Sequence, residues 1–181
     1  MKTKGNGRAK VLTQAELDRL FDRGFNTERD KLLFAICYYC ACRVSEALAL
    51  TNQDIAGGVV TLRKSTTKGK SATRTLPTHP KLIGYLAAYN PKVGLLFPGR
   101  NGDKPLTRAM ADLILKAACK RTRIRGASTH SFRRTALTNM SNANVPIRVI
   151  QEISGHKSLT ALQRYLEVKP SQVVAAIALL T

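Results

Sequence analysis

The 181-residue sequence has no tryptophan, few acidic residues and no apolar run close to the roughly 18 residues that a membrane span needs. Residues 1–8 are basic and polar, and the apolar stretch of a secretory signal peptide does not follow them. These absences argue against a membrane-spanning or exported protein. We therefore expect a cytoplasmic protein that makes no use of a membrane.

Cysteine is also scarce, and three of the four cysteines, Cys37, Cys40 and Cys42, lie in one apolar segment. A zinc site would require a second Cys or His pair at ligand spacing, which the Cys37-x-x-Cys40 pair lacks. Small buried residues of a helix in a reducing compartment explain the cluster better. No metal site is predicted.

The shortage of acidic residues is the most informative one, because 30 Lys and Arg stand against 11 Asp and Glu and give a net charge of +19. Like charges repel in a compact chain, so this excess does not stabilise the fold. It favours a nucleic acid, whose condensed counterions are released when basic groups bind. A ribosomal-type scaffold and a membrane-surface protein are the alternatives. The second would need a long basic amphipathic helix, and the sequence has none.

Capping residues and hydrophobic periodicity predict a mainly helical chain. A capping box at residues 13–16 begins a first helix that Gly24 ends, and Thr27 begins a second that reaches toward Arg43. Residues 59–62 and 73–77 read as two strands of a hairpin around a polar turn. Further helices are predicted after Thr78, after Thr107, over residues 128–142, from Pro146 to Gly155, after Ser158 and from Pro170. The fold class is α+β: mainly α with a small antiparallel sheet.

Two short motifs place cations and proton donors on helices. Arg43 precedes Glu46 by three residues and ends an apolar run, so its guanidinium could be held near the core to bind two phosphate oxygens. An ordinary surface ion pair is the alternative. His130 and Arg133 are about 60° apart on one helix face and can donate to the same phosphate. Arg134 points about 100° away and suits a structural or DNA-backbone contact.

The remaining candidates are a histidine, a tyrosine and a lysine. His156 follows Gly155 at a helix end, where the partial negative charge favours a protonated imidazole that could donate to a phosphate or a leaving group. Tyr165 lies at the margin of an apolar helix stripe, where its phenol could reach a cleft or simply pack at the core edge. Lys68 is at the hairpin tip and could act as a general acid, a role for which Lys70 competes.

Three stretches together with this tyrosine resemble the catalytic domain of the tyrosine recombinases, the phage-integrase type of site-specific DNA recombinase. The stretches are CRVSEALAL at residues 42–50, THSFRRT at 129–135 and IQEISGHKS at 150–158, and Tyr165 follows His156 by nine residues. The resemblance extends over residues 12–168. Each motif alone is common by chance, but all of them in this order are not.

The resemblance implies a division of roles among six residues. Four would bind and activate the scissile phosphate, one would attack it and one would protonate the departing 5′ oxygen: Arg43, His130, Arg133 and His156, then Tyr165, then Lys68. It implies cleavage and rejoining of double-stranded DNA through a 3′-phosphotyrosyl intermediate, with no metal and no other cofactor. It also implies a homotetramer on paired DNA sites.

The sequence departs from the family pattern in two places. Ser154 stands where the family has leucine or isoleucine before the Gly-His pair. Family members also carry an N-terminal core-binding domain, for which we expect no room here. We expect residues 1–11 to be a flexible basic segment and residues 12–181 to be the catalytic domain. Its last helix, residues 171–180, is almost wholly apolar and must pack on its own domain or, as we favour, on a neighbouring protomer.

Two rival functions share these features. A type IB topoisomerase would use the same attack to relax DNA without exchanging strands between partners. A DNA-binding regulator of the same fold would have lost catalysis, although every family position is filled here. The formation of a covalent protein–DNA adduct separates the regulator from the two enzymes.

Overall fold

A computed structural model describes residues 9–63, 72–163 and 170–179. Helix α1 (Gln14–Arg19) begins at the predicted capping box, in which Thr13 and Glu16 satisfy each other's backbone N–H groups, and it continues as a π-helical turn (Leu20–Gly24). Before α1, the carbonyl of Ala9 accepts a hydrogen bond from Arg134 at 2.8 Å. This contact links the described end of segment 1–11 to the rest of the domain.

Helix α2 (Glu28–Tyr39) begins at Thr27 as predicted but ends before Arg43. The helix cannot extend to Arg43 because Ala41 has a φ of 43°, in the left-handed region that a right-handed helix cannot contain. Arg43 instead has extended backbone and becomes the N-cap of a separate short helix, α3 (Val44–Leu48). Arg43 thus belongs to the start of α3 and not to α2.

The sheet confirms the predicted hairpin. Strands β1 (Ile55–Ala56), β2 (Val59–Leu62) and β3 (Arg74–Pro77) are antiparallel in the order β1-β2-β3. Gly57 and Gly58 join β1 to β2 with φ of 59° and 76°, a turn that glycine makes without strain. The turn between β2 and β3, which carries Lys68 and Lys70, lies outside the described residues.

The described residues from Pro80 onward are mainly helical and follow most of the predicted boundaries. The N-caps of the first two helices are His79, in place of the predicted Thr78, and Thr107, as predicted. Pro146 is the N-cap of the fourth helix and not its first residue, so this helix begins one residue later than predicted. The helices are α4 (Pro80–Tyr89), α5 (Arg108–Thr122), α6 (Thr129–Asn142), α7 (Ile147–Ser154), α8 (Leu159–Gln163) and α9 (Pro170–Ile177).

Two apolar clusters hold these elements together. In the larger one, the ring of Phe34 stacks on that of Phe25, with the ring centroids 4.9 Å apart. The ring centroid of Phe34 also lies 5.0 Å from that of Phe132, and this contact packs α6 against α2. The smaller cluster joins the α2–α3 break to α6, α7 and α8 through Ala41, Ala136, Leu137, Ile150 and Leu162. All four cysteines are buried, as the interpretation as core residues requires. Within the described ranges, no helix has the length and apolar character needed to cross a membrane.

Candidate active site

Arg133 is the centre of the site, because it joins the two most distant motifs. Its side chain is buried in the second turn of α6, next to the core residue Phe132. Nη1 donates to the carbonyl of Ala41 at 2.7 Å, and Nη2 lies 3.2 Å from Nε2 of His156. Burial, followed by the charge of Arg43, lowers the pKa of Arg133 to about 10. The guanidinium therefore remains charged at neutral pH.

Glu46 is the buried carboxylate of the site and is fully excluded from solvent. It accepts from the backbone N–H and the Nη1 of Arg43 at 3.0 and 3.1 Å, and from Nη2 of Arg74 at 2.8 Å. Burial alone would raise the pKa of Glu46, but Arg74 and these hydrogen bonds hold it below its ordinary value. The ionised carboxylate fixes Arg43, whose side chain keeps 30% of its surface exposed.

Arg74 was not among the residues predicted from the sequence. From β3 it donates through Nη2 to Glu46 and through Nε to the carbonyl of Ile153 at 3.0 Å, with only 9% of its side chain exposed. It thus connects the hairpin to α3 and α7. The alternation of side chains along a strand could have indicated its inward position. Arg74 and Leu76 lie on the same face of β3, and their partners on β2, Leu62 and Val60, are buried.

Gly155 lets the chain pass close to Arg74. It ends α7 with a φ of 66°, and a Cβ at this position would lie 2.9 Å from Nη1 of Arg74. A larger residue would therefore meet both backbone strain and a steric clash. The turn at Gly155 places the His156 side chain in contact with Arg133.

His156 is buried, and its Nδ1 lies 2.7 Å from the hydroxyl of Ser154. Burial lowers its pKa to about 4, and the charges of Arg133, Arg43 and Arg74 act in the same direction. The expectation of a protonated imidazole is wrong for the free protein. The helix end favours the cation by a small amount, and burial beside three guanidinium groups outweighs it.

His130 and Arg43 line one cleft of about 230 Å³ together with Val44, Ser45 and Arg108. His130 is exposed in the first turn of α6, whereas Arg133, one turn later, is buried. Arg108, the first residue of α5, is a second cation that the sequence reading missed. Arg134 is buried, and its contact with the Ala9 carbonyl supports the structural alternative for that residue.

The predicted phosphate ligands are thus brought together in pairs. Arg133 contacts His156, Arg43 shares a cleft with His130, and Glu46 with Arg74 connects Arg43 to the end of α7. The predicted nucleophile Tyr165 and the predicted general acid Lys68 lie outside the described residues. Among the side chains that are described, no group of three or more His, Cys, Asp or Glu residues could hold a metal ion.

Known proteins share this sequence and fold. Over 174 residues the chain is 31% identical to a tyrosine recombinase of Thermosipho africanus, a match that covers 92% of this chain and 60% of that protein. The chain spans between 45% and 60% of the length of the first curated relatives that it matches.

Solved structures of integrases and recombinases have the same fold as this chain. The catalytic domain of bacteriophage HP1 integrase superposes with a TM-score of 0.71 at 25% identity, covering 94% of this chain and 95% of that one. The recombinase XerH bound to its difH substrate superposes with a TM-score of 0.72 at 21% identity, covering 93% and 53%. The model of the phage integrase family matches residues 10–172. The chain belongs to the phage integrase family.

Proposed function

We propose that this chain is the catalytic domain of a site-specific DNA recombinase or integrase, which cleaves and rejoins double-stranded DNA through a 3′-phosphotyrosyl intermediate. The observation that carries the proposal is the contact of Arg133 with His156, beside the cleft that Arg43 and His130 line. These groups come from three separate stretches of sequence. Donors that converge from different elements suit a single anionic group, and a phosphodiester is the anion that the charge of +19 favours.

The proposed reaction exchanges one phosphoester bond for another. The phenol oxygen of Tyr165 attacks the phosphorus, and the bond from phosphorus to the 5′ oxygen breaks. A free phenol has a pKa of about 10 and must lose its proton during attack. The departing oxygen gains a proton, for which Lys68 is the proposed donor and Lys70 the alternative. The energy of the broken bond is kept in the protein–DNA link, so a different 5′ hydroxyl can reverse the step and no nucleotide is consumed.

The arginines act on the charge that develops in the transition state. A guanidinium offers paired N–H donors to two phosphate oxygens, and burial strengthens these charged hydrogen bonds. Arg133 is already held by the Ala41 carbonyl and Arg43 by Glu46, so neither group needs to reorganise during the reaction. This preorganisation is the main catalytic role that we assign to α3 and α6.

The substitution Tyr165→Phe tests the nucleophile. On nicked duplex DNA, which traps cleavage products, the wild type should form a protein–DNA adduct that survives denaturing electrophoresis. Tyr165→Phe should bind the same DNA and form no adduct, because it lacks the attacking oxygen. Tyr38→Phe is the matched control: its hydroxyl accepts from Asn139 at 3.0 Å and has no assigned part in the reaction.

Each alternative function has its own outcome in this assay. An adduct formed by Tyr165→Phe would show that another residue attacks. A wild type that forms no adduct on any DNA would favour the regulator that has lost catalysis. Relaxation of supercoiled DNA without recombinant products would favour the type IB topoisomerase.

We also propose that the active species is a homotetramer on paired DNA sites, in which α9 packs on a neighbouring protomer. Three apolar side chains of α9, Val173, Val174 and Ile177, are 52%, 70% and 64% exposed. A polar contact, from Gln172 to the carbonyl of Ser141 at 3.0 Å, joins this end of the chain to α6. Such a helix retains an apolar surface that a second copy could cover.

The same proposal takes residues 12–181 as the catalytic domain. It assigns the reaction to the cytoplasm of a bacterium or of a phage-infected cell, where the DNA substrate is found. The experiment with Tyr165→Phe tests the domain together with its chemistry.

A further inference from the structure

Ser154 forms a buried polar contact with the site at a position where the family pattern has an aliphatic residue. It is the last residue of α7 and is fully buried. Its Oγ lies 3.2 Å from the carbonyl oxygen of Gln151 and 2.7 Å from Nδ1 of His156. An aliphatic side chain could make neither contact.

The protons available to these groups select one arrangement. A hydroxyl has a single proton, and a carbonyl oxygen can only accept. Both contacts of Ser154 are hydrogen bonds only if its proton points to Gln151 and Nδ1 of His156 donates to Oγ. Nε2 then carries the lone pair and lies 3.2 Å from Nη2 of Arg133, which is also 3.3 Å from Nδ1. The guanidinium itself does not choose between the tautomers, because Nη2 lies at nearly the same distance from both ring nitrogens, so the choice rests on the two contacts of Ser154.

We propose that Ser154 is a positioning residue for strand transfer: it accepts the Nδ1–H of His156 and so leaves Nε2 as the nitrogen that gains a proton and donates it to a phosphate oxygen. This inference deepens the proposed function and rests on it. The serine hydroxyl does not contact the reacting atoms in this scheme, and it acts through His156 alone.

The charges around His156 give the direction of the effect. Arg133 on α6, Arg43 before α3 and Arg74 on β3 oppose protonation of the ring, and Glu46 on α3 favours it. A bound phosphodiester would add a negative charge and favour the cation. A hydrogen bond from Nδ1–H to Ser154 also favours the cation, because both nitrogens of an imidazolium donate. Loss of the hydroxyl should therefore make His156 harder to protonate.

Nitrogen NMR of the free protein tests the hydrogen bond without any DNA. The chain has three histidines, so His156→Gln assigns the His156 signals by difference. We expect the proton on Nδ1 at neutral pH in the wild type, and a shift toward the other tautomer in Ser154→Ala. A wild-type proton on Nε2 would overturn the proposal. This measurement does not depend on whether the protein cleaves DNA.

The pH dependence of cleavage on nicked DNA tests the consequence. Ser154→Ala should slow adduct formation about tenfold at neutral pH, which corresponds to the loss of one hydrogen bond. The fall in rate on the alkaline side should move about one pH unit lower, because the protonated ring is lost earlier. An unchanged rate profile would overturn the proposal.

A double substitution separates positioning from a merely structural role. If Ser154 acts through His156, Ser154→Ala should cause no further loss in the His156→Gln background. Equal losses in both backgrounds would contradict the proposal. Ser141→Ala, about 12 Å along α6 from Arg133, is the control for a lost serine hydroxyl and should match the wild type. If the wild type forms no adduct, the proposed function fails, and the NMR measurement still decides the hydrogen bond.

Discussion

At the scale of single residues, Arg74 has a wide structural effect, because one side chain satisfies groups on two other elements. Its guanidinium donates to the carboxylate of Glu46 on α3 and to the carbonyl of Ile153 on α7. Glu46 has no exposed surface. Removing a partner of a fully buried carboxylate leaves part of its charge uncompensated, which is far more costly than the loss of a surface ion pair.

We expect Arg74→Ala to lower the free energy of unfolding by about 3 kcal/mol, as is typical when one partner of a buried ion pair is removed. Urea unfolding followed by circular dichroism measures this change. Lys116→Ala is the control, since Lys116 pairs with Asp112 on the surface with 69% of its side chain exposed, and it should cost no more than about 0.5 kcal/mol. Equal losses in the two variants would show that Arg74 does not hold the hairpin to α3 and α7.

The sequence predicted the residues that stand in motifs and missed those that act through contacts between distant elements. Arg43, His130, Arg133 and His156 were chosen because helical spacing and short patterns identify them. Arg74 meets Glu46 across 28 residues and Ile153 across 79, and no local pattern encodes such a pair. The roles of Lys68 and Tyr165 remain predictions from the motifs.

At the scale of elements, local signals predicted most boundaries correctly. Caps, the Gly57-Gly58 turn and the glycine at the end of α7 are all encoded within a few residues. The starts of α4 and α7 differ from the prediction by one residue, and the end of α2 was not predicted, because the apolar run contains no glycine or proline that would stop a helix. The break at Ala41 depends on tertiary contacts, because the freed Ala41 carbonyl accepts from Arg133 and its side chain packs in the smaller cluster. Such contacts override helix propensity.

The exposed apolar side chains of α9 lead to a prediction about assembly. Deletion of residues 171–181 should leave cleavage of single nicked sites intact and abolish complexes that hold two DNA sites, since the helix would no longer reach a neighbouring protomer. Native gel electrophoresis with two labelled duplexes measures these complexes. Replacing Val173, Val174 and Ile177 by serine should have the same effect.

Val93→Ser is the matched control for these substitutions. Val93 is 99% exposed in the segment between α4 and α5, so this change removes an exposed apolar side chain from another part of the surface. Paired-site complexes should persist in this variant. Paired-site complexes that persist without residues 171–181 would contradict packing between protomers.

At the scale of the whole molecule, the net charge of +19 is accompanied by an excess of positive groups around the buried His156. The ionised groups that act on His156 comprise three guanidinium groups and one carboxylate, Glu46. Each guanidinium is fixed by backbone or side-chain acceptors, so the repulsion among them is present before any DNA arrives. The folded domain therefore bears an electrostatic cost at its centre that an anion would relieve.

This excess of positive charge leads to a prediction: binding of a nucleic acid should raise the melting temperature of the domain. A ligand that binds only the folded chain stabilises it by about 2.7 kcal/mol at a concentration one hundred times its Kd. A short duplex should thus raise the Tm in calorimetry, the gain should shrink with added salt, and Arg43→Ala should show a smaller gain. A Tm indifferent to DNA would contradict this view. Under the proposed function, DNA would supply the negative charge that the three guanidinium groups lack, and its binding would add to the stability of the folded domain.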